Sequence, residues 1–245
     1  RNHLKPLVDG VSEKVSVEQR SSLQKLIAEY ADVFVGPDGM LGRTDKVKHV
    51  IDTGDSKPIK LPPHRLPLSQ KEVVEKEIDR MLAEDVIDVT KKDGTPRFCV
   101  DYRKLNAVTR KDAYPLPRMD DSLDALSGAK WFSTLDLASG YWQVALDEND
   151  REKTAFASHK GLFQFKVLPF GLSNSPASFM RLVQVVLNGM TFEQCLAYLD
   201  DIIVIGSTFE SALENLKLVF ERFREAKLKF KPSKCSLFQK HVSYL

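Results

Sequence analysis

Apolar positions recur at helical spacing in several stretches of the chain and alternate in others. Residues 16–30 place Leu23, Leu26, Ile27 and Tyr30 on one side, and Ser16 followed by Gln19 forms a capping box, so this stretch predicts a helix. A second helix is predicted from Ser69, with Glu72 three residues on and Val74, Ile78, Met81 and Leu82 sharing a face. The apolar run ASFMRLVQVVLN predicts a third: Ser175 is its N-cap, Pro176 its first residue, and Gly189 ends it. A fourth spans about 209–226, with Leu213, Leu216, Phe220 and Phe223 inward.

Strand patterns lie between them. FCVDY (Phe98–Tyr102) alternates, and GLFQFKV sets Phe163, Phe165 and Val167 on one face. Phe132, Thr134 and Asp136 alternate with Ser133, Leu135 and Leu137. A short strand is expected at Lys46–Ile51, inside a connector over 36–68 rich in Gly and Pro. That connector is the best boundary in the chain, and 1–60 is read as an N-terminal helix plus extended connector ahead of a domain at 61–245. Strands and helices interleave without a βαβ rhythm or internal repeat, which favours α+β over a doubly wound sheet.

Two acids interrupt one strand pattern. In LAYLDDIIVIG (Leu196–Gly206), Asp200 and Asp201 stand side by side between apolar flanks, and Asp136 sits where a half-buried strand would place an apolar residue. Lone buried carboxylates are costly, and neighbours repel. An Asp pair at a turn is also common, because Asp caps turns through its own backbone. If the strands are neighbours the three carboxylates converge, and an oxygen-seeking divalent ion, Mg²⁺ or Mn²⁺ rather than zinc, would relieve the repulsion. Asp147, Glu148 and Asp150 lie in a hydrophilic turn and call for no chemistry.

Composition limits the rest. The 245 residues are 42% hydrophobic and 29% charged, as in ordinary globular domains. No apolar run approaches the roughly 18 residues of a membrane span. The chain begins RNHLKPLVDG, without Met or an apolar leader core, as expected of a piece of something longer. Cys99, Cys195 and Cys235 fit neither zinc nor disulfide spacing and read as reduced structural thiols. Net charge is only +2, yet Lys91, Lys92, Arg97, Arg103, Lys104, Arg110 and Lys111 crowd one stretch, and Arg222, Arg224, Lys227, Lys229, Lys231, Lys234 and Lys240 another. Such clusters suit phosphates, or simply form solvated faces.

Taken together, YLDD (Tyr198–Asp201), RFCVDYRKLN, YPLPR, FSTLDLASGYWQV, KTAF, LPFGLSNSPASF and LKFKPSKC resemble, in order and spacing, the reverse transcriptase segment of gypsy-type LTR retrotransposon pol polyproteins, over roughly residues 45–245. The resemblance implies a right-hand polymerase palm, an antiparallel sheet backed by helices, with fingers. It implies a metal-binding and catalytic triad of Asp136, Asp200 and Asp201, with the Leu137 carbonyl completing one Mg²⁺ site. Lys91 and Arg97 would grip the triphosphate, Tyr141 would reject a 2′-hydroxyl, and Phe170 and Gly171 would line the nucleotide pocket. Gly171 and Pro176 would shape that turn, Tyr198 and Pro176 would meet primer and template, and Lys234 would protonate pyrophosphate unless it is a plain solvated lysine.

The implied partners are an RNA or DNA template with its primer and a dNTP, with no membrane, and RNase H and integrase domains elsewhere in the parent polyprotein. Two departures stand out. Asp88, Val89 and Thr90 run directly into Lys91 where the family carries a further finger segment, so the fingers read as truncated. The chain also ends at HVSYL, inside the primer-grip region, with no thumb following. The DTG at Asp52–Gly54 lies in the connector and is not read as a protease motif. Leu199 before the Asp pair and Tyr141 at the sugar gate set aside an RNA-dependent RNA polymerase. A catalytically inactive retroelement remnant that at most binds nucleic acid is the alternative.

Overall fold

The computed structural model describes residues 2–59, 68–89, 100–115, 126, 128–158 and 161–242. Its helices are α1 (Lys5–Asp9), α2 (Val17–Glu29), α3 (Leu68–Ala83), α4 (Arg103–Val108), α5 (Ser175–Val186) and α6 (Phe209–Glu225). Its strands are β1 (Thr44–His49), β2 (Ile87–Val89), β3 (Trp131–Asp136), β4 (Val144–Leu146), β5 (Phe156–Ser158), β6 (Gly161–Phe165), β7 (Cys195–Tyr198), β8 (Asp201–Gly206) and β9 (Ser236–Gln239). The chain folds into two compact units, one of Arg1–Lys46, Pro115–Gly140 and Met180–Leu245, the other of Val47–Tyr114 and Tyr141–Phe179. Each draws on sequence from both sides of residue 60.

The first unit is built on an antiparallel sheet in the order β7-β8-β3-β9. Strand β3 alternates strictly between buried and half-buried positions. Trp131 and Leu135 point to one face, where Trp131 meets Phe209 of α6 edge-on at 5.8 Å. Helix α6 lies close because Gly206 has no side chain: a Cβ there would come within 2.5 Å of the Ala212 nitrogen. Leu216, Phe220 and Phe223 of α6 are fully buried, as the 3.6-residue spacing predicts. Phe132 turns to the opposite face and packs with Leu196, Ile203 and Ile205.

Helix α2 opens with the predicted capping box, in which the Gln19 N–H donates to Ser16 Oγ and the Ser16 N–H to Gln19 Oε1. It joins α6 through Tyr30, whose hydroxyl donates to Glu221 at 2.8 Å and whose ring lies 4.1 Å below the Arg224 guanidinium carbon.

The second unit holds the antiparallel sheet β2-β6-β5. Phe163, Phe165 and Val167 are buried together, as the alternation predicts, while Leu162 faces out. Helix α3 buries Val74, Ile78 and Met81. In the same unit Asp150 is nearly inaccessible, accepting from the Ile51 N–H at 2.8 Å and from Lys153 at 2.6 Å. The hydrophilic turn around Asp150 therefore carries a buried structural carboxylate that the pattern concealed.

Three local expectations are corrected. Val100–Tyr102 is not strand: Asp101 accepts from the Arg103 N–H at 3.0 Å and the chain turns into α4. The short strand begins at Thr44, ahead of Lys46. Ser175 lies inside α5, and its hydroxyl donates to the Pro169 carbonyl at 3.2 Å instead of capping the helix.

Candidate active site

The three suspected acids lie in the first unit, and the strand register joins two of them. In the β3–β8 ladder Asp136 stands directly opposite Asp201, and in the β7–β8 ladder Tyr198 stands opposite the same residue. Directly paired residues share a face, with Cβ atoms about 5 Å apart. So Tyr198, Asp201 and Asp136 form a row across three strands, on the side of the sheet away from α6.

Asp200 is one of the two residues that turn the β7–β8 hairpin. Its carbonyl accepts from the Leu137 N–H at 2.9 Å, which ties the hairpin tip to the end of β3. The preceding Leu199 sits at φ 51°, a left-handed conformation that costs a leucine about 1 kcal/mol. Its N–H donates to Met180 Sδ at 3.1 Å. Such strain tends to persist where the surroundings dictate the backbone.

The electrostatics follow from this crowding. Burial, then Asp136, then Asp201 push the Asp200 carboxyl up to about 7. Asp201 is raised by the same burial and by Asp136. The cation that moderates both is Lys234, whose Nζ donates to Asp136 Oδ2 at 2.7 Å. Lys234 in turn is held protonated, chiefly by that hydrogen bond. Asp200 Oδ1 is buried and makes no hydrogen bond.

This donor set fits an oxygen-seeking divalent ion: three carboxylates, mutual repulsion and one orphaned buried oxygen. Among the described residues, however, no three acidic, imidazole or thiolate side chains are closed into a ready metal cage. The carboxylates are gathered but not preformed around an ion, and Asp136 is turned to a lysine.

The remaining candidates lie in the second unit. Tyr141 packs against Phe170 at 5.2 Å and edge-on against Phe179 at 5.3 Å. Phe170 is 39% exposed. Gly171 adopts φ +94°, so its turn needs a residue without a side chain. The Asn106 amide clamps that turn, donating to the Gly171 carbonyl and accepting from the Ser173 N–H, both at 2.8 Å. Neither Asn106 nor Phe179 was singled out in the sequence. The only available signals were an Asn ending RKLN and a Phe ending SPASF. Pro176 is the second residue of α5. Lys91 and Arg97 lie outside the described residues.

Much of the basic charge is already engaged. Arg103 pairs with Asp101 at 2.6 Å, Arg110 with Asp52 at 3.1 Å, Arg224 with Asp32 at 2.5 Å, and Lys227 with Asp45. Cys195 and Cys235 are free thiols, as expected, and Cys99 lies outside the described residues. No helix among the described residues is long and apolar enough to cross a membrane.

Comparison with known proteins places these features in a lineage. The family profile "Reverse transcriptase (RNA-dependent DNA polymerase)" matches residues 89–245. The retrovirus-related Pol polyprotein from transposon 412 of Drosophila melanogaster is 34% identical over 244 residues, covering 92% of this chain and 20% of that polyprotein. The Pol polyprotein from transposon gypsy of the same organism is 32% identical over 217 residues, covering 81% and 21%. This chain therefore spans about a fifth of those relatives. A foamy viral protease–reverse transcriptase, solved in complex with double-stranded DNA, superposes with a TM-score of 0.87 at 25% identity, over 100% of this chain and 44% of that one. The antiparallel β7-β8-β3-β9 sheet with α6 behind it is thus a polymerase palm, and the chain belongs to the reverse transcriptase family, among the gypsy-type LTR retrotransposon Pol polyproteins.

Proposed function

We propose that the chain is the fingers and palm of an RNA-directed DNA polymerase, and that Asp136, Asp200 and Asp201 are its catalytic carboxylates. The single observation that supports this most is the pairing of Asp136 with Asp201 beside the Asp200 turn. Mg²⁺, with Mn²⁺ as substitute, would be held by these three side chains and the Leu137 carbonyl. When bound, such ions lower the barrier to attack of a primer 3′-hydroxyl on the α-phosphate of a dNTP and neutralise charge on the departing pyrophosphate.

The residues divide the rest of the work. Asp136 and Asp201, fixed by ladder hydrogen bonds, hold their positions without reorganising, which is how preorganised charge lowers a barrier. Tyr141 presents a flat ring backed by Phe179, leaving no room for a 2′-hydroxyl. Phe170 and Gly171 line the nucleotide pocket, on a turn fixed by Asn106 and followed by Pro176. Lys91 and Arg97 engage the triphosphate, Arg by paired hydrogen bonds and Lys as a point charge. Lys234 gives a proton to the leaving group. Tyr198, in the same row as the aspartates, meets the primer terminus. The partners are an RNA or DNA template with its primer, and the RNase H and integrase domains of the parent polyprotein.

Primer extension tests the reading. With an RNA template, a DNA primer, dNTPs and Mg²⁺, the chain should incorporate nucleotides and Asp200→Asn should not. If the chain, like Asp200→Asn, incorporates nothing above background, it is an inactive remnant that at most binds nucleic acid; if Asp200→Asn incorporates as much as an active chain, Asp200 is not catalytic.

A further inference from the structure

The Lys234–Asp136 contact is built into the backbone and is not a chance surface pair. The Lys231 N–H donates to the Asp136 carbonyl at 2.9 Å, and the Ala138 N–H to the Lys229 carbonyl at 3.1 Å, so the loop before β9 is fastened to the end of β3. Pro232–Lys234 then forms a single 3-10 turn, closed by the Lys234 N–H donating to the Lys231 carbonyl at 3.0 Å. Two residues later Ser236 is in register with Thr134. These restraints leave the Lys234 stem directed at one carboxylate.

The two partners are unequally placed. The Asp136 side chain is 14% exposed, whereas that of Lys234 is 58% exposed. The lysine reaches in from solvent on a flexible stem, while the aspartate is the more confined partner. An ammonium at 2.7 Å occupies one oxygen that a metal ion would need.

We propose that Lys234 is a displaceable latch: in the metal-free palm its ammonium stands in for the cation at Asp136, and metal binding requires it to let go. This rests on the three aspartates being the metal ligands. Lys234 acts on the metal through Asp136, as a positioning residue.

Mn²⁺ binding to the whole chain, read by the loss of the free-ion electron spin resonance signal, separates the possibilities. Lys234→Met should tighten Mn²⁺ binding about tenfold, the equivalent of one charged hydrogen bond. Lys231→Met, which removes a neighbouring charge and keeps the backbone bond to Asp136, should change it little. Asp200→Asn should abolish binding in every background. Lysine-selective NMR gives a direct readout: the Lys234 Nζ resonance should move to the free-lysine position in step with Mg²⁺ occupancy. If Lys234→Met binds Mn²⁺ no more tightly than Lys231→Met, or if the Nζ resonance ignores saturating Mg²⁺, the latch is wrong although the metal site stands. If Asp200→Asn leaves Mn²⁺ binding intact, the metal site itself is wrong and the latch falls with it.

Discussion

Asp200 is the residue at which charge and burial conflict most. Its carboxyl is raised to about 7 from an ordinary 3.8, first by burial and then by Asp136 and Asp201. A raised carboxyl means that the folded state keeps a proton the unfolded chain has lost. Without metal, this group's cost to stability therefore begins as pH rises above 3.8 and is complete above about 7. Asp201 adds to it with the same sign. His49 works the other way: buried against Ser178 Oγ at 2.8 Å, it is lowered to about 4 from 6.5, so its cost appears only as pH falls below 6.5. Because the two oppose each other, the useful measurement is a difference. In EDTA, Asp200→Asn should raise the melting temperature at pH 8 and leave it nearly unchanged at pH 4. A gain that does not grow with pH would mean that Asp200 is not held against its charge.

At the scale of elements, what the pattern made legible is what depends on local periodicity. The α2 capping box, the face of α6 and the alternation of β3 and β6 are short-range properties, and each is found. What escaped depends on partners distant in sequence. The alternation in FCVDY is overridden because Asp101 turns the described part of that segment into α4. The Asp150 carboxylate looks solvated until the N–H of Ile51, about a hundred residues away in sequence, donates to it. The candidate site divides the same way. The three aspartates stand out because each breaks an apolar pattern, whereas Asn106, Phe179 and the Lys234–Asp136 bond are contacts between segments with no local signature. One element-scale prediction follows from the closeness of α6 to β8. Gly206→Ala would force a methyl to within 2.6 Å of the Ala212 Cα and Cβ, so the helix must move. Denaturant unfolding should show a loss of about 2 kcal/mol. A neutral result would mean that α6 is not seated on β8 as described.

For the molecule as a whole, the account is that a small antiparallel sheet serves as a jig for negative charge. Hydrophobic strands and α6 supply the rigidity, and the sheet's other face carries Asp136 and Asp201 in one row, with Asp200 at the tip. Concentrating carboxylates destabilises the metal-free state, and Lys234 moderates that repulsion. The direct test is a crystal of the chain soaked in Mn²⁺ and recorded at the manganese absorption edge. The expected result is an anomalous density peak about 2 Å from oxygens of Asp136, Asp200 and Asp201, with the Lys234 ammonium withdrawn from Asp136. Ordered density for all three carboxylates, with no anomalous peak among them at saturating Mn²⁺, would contradict it.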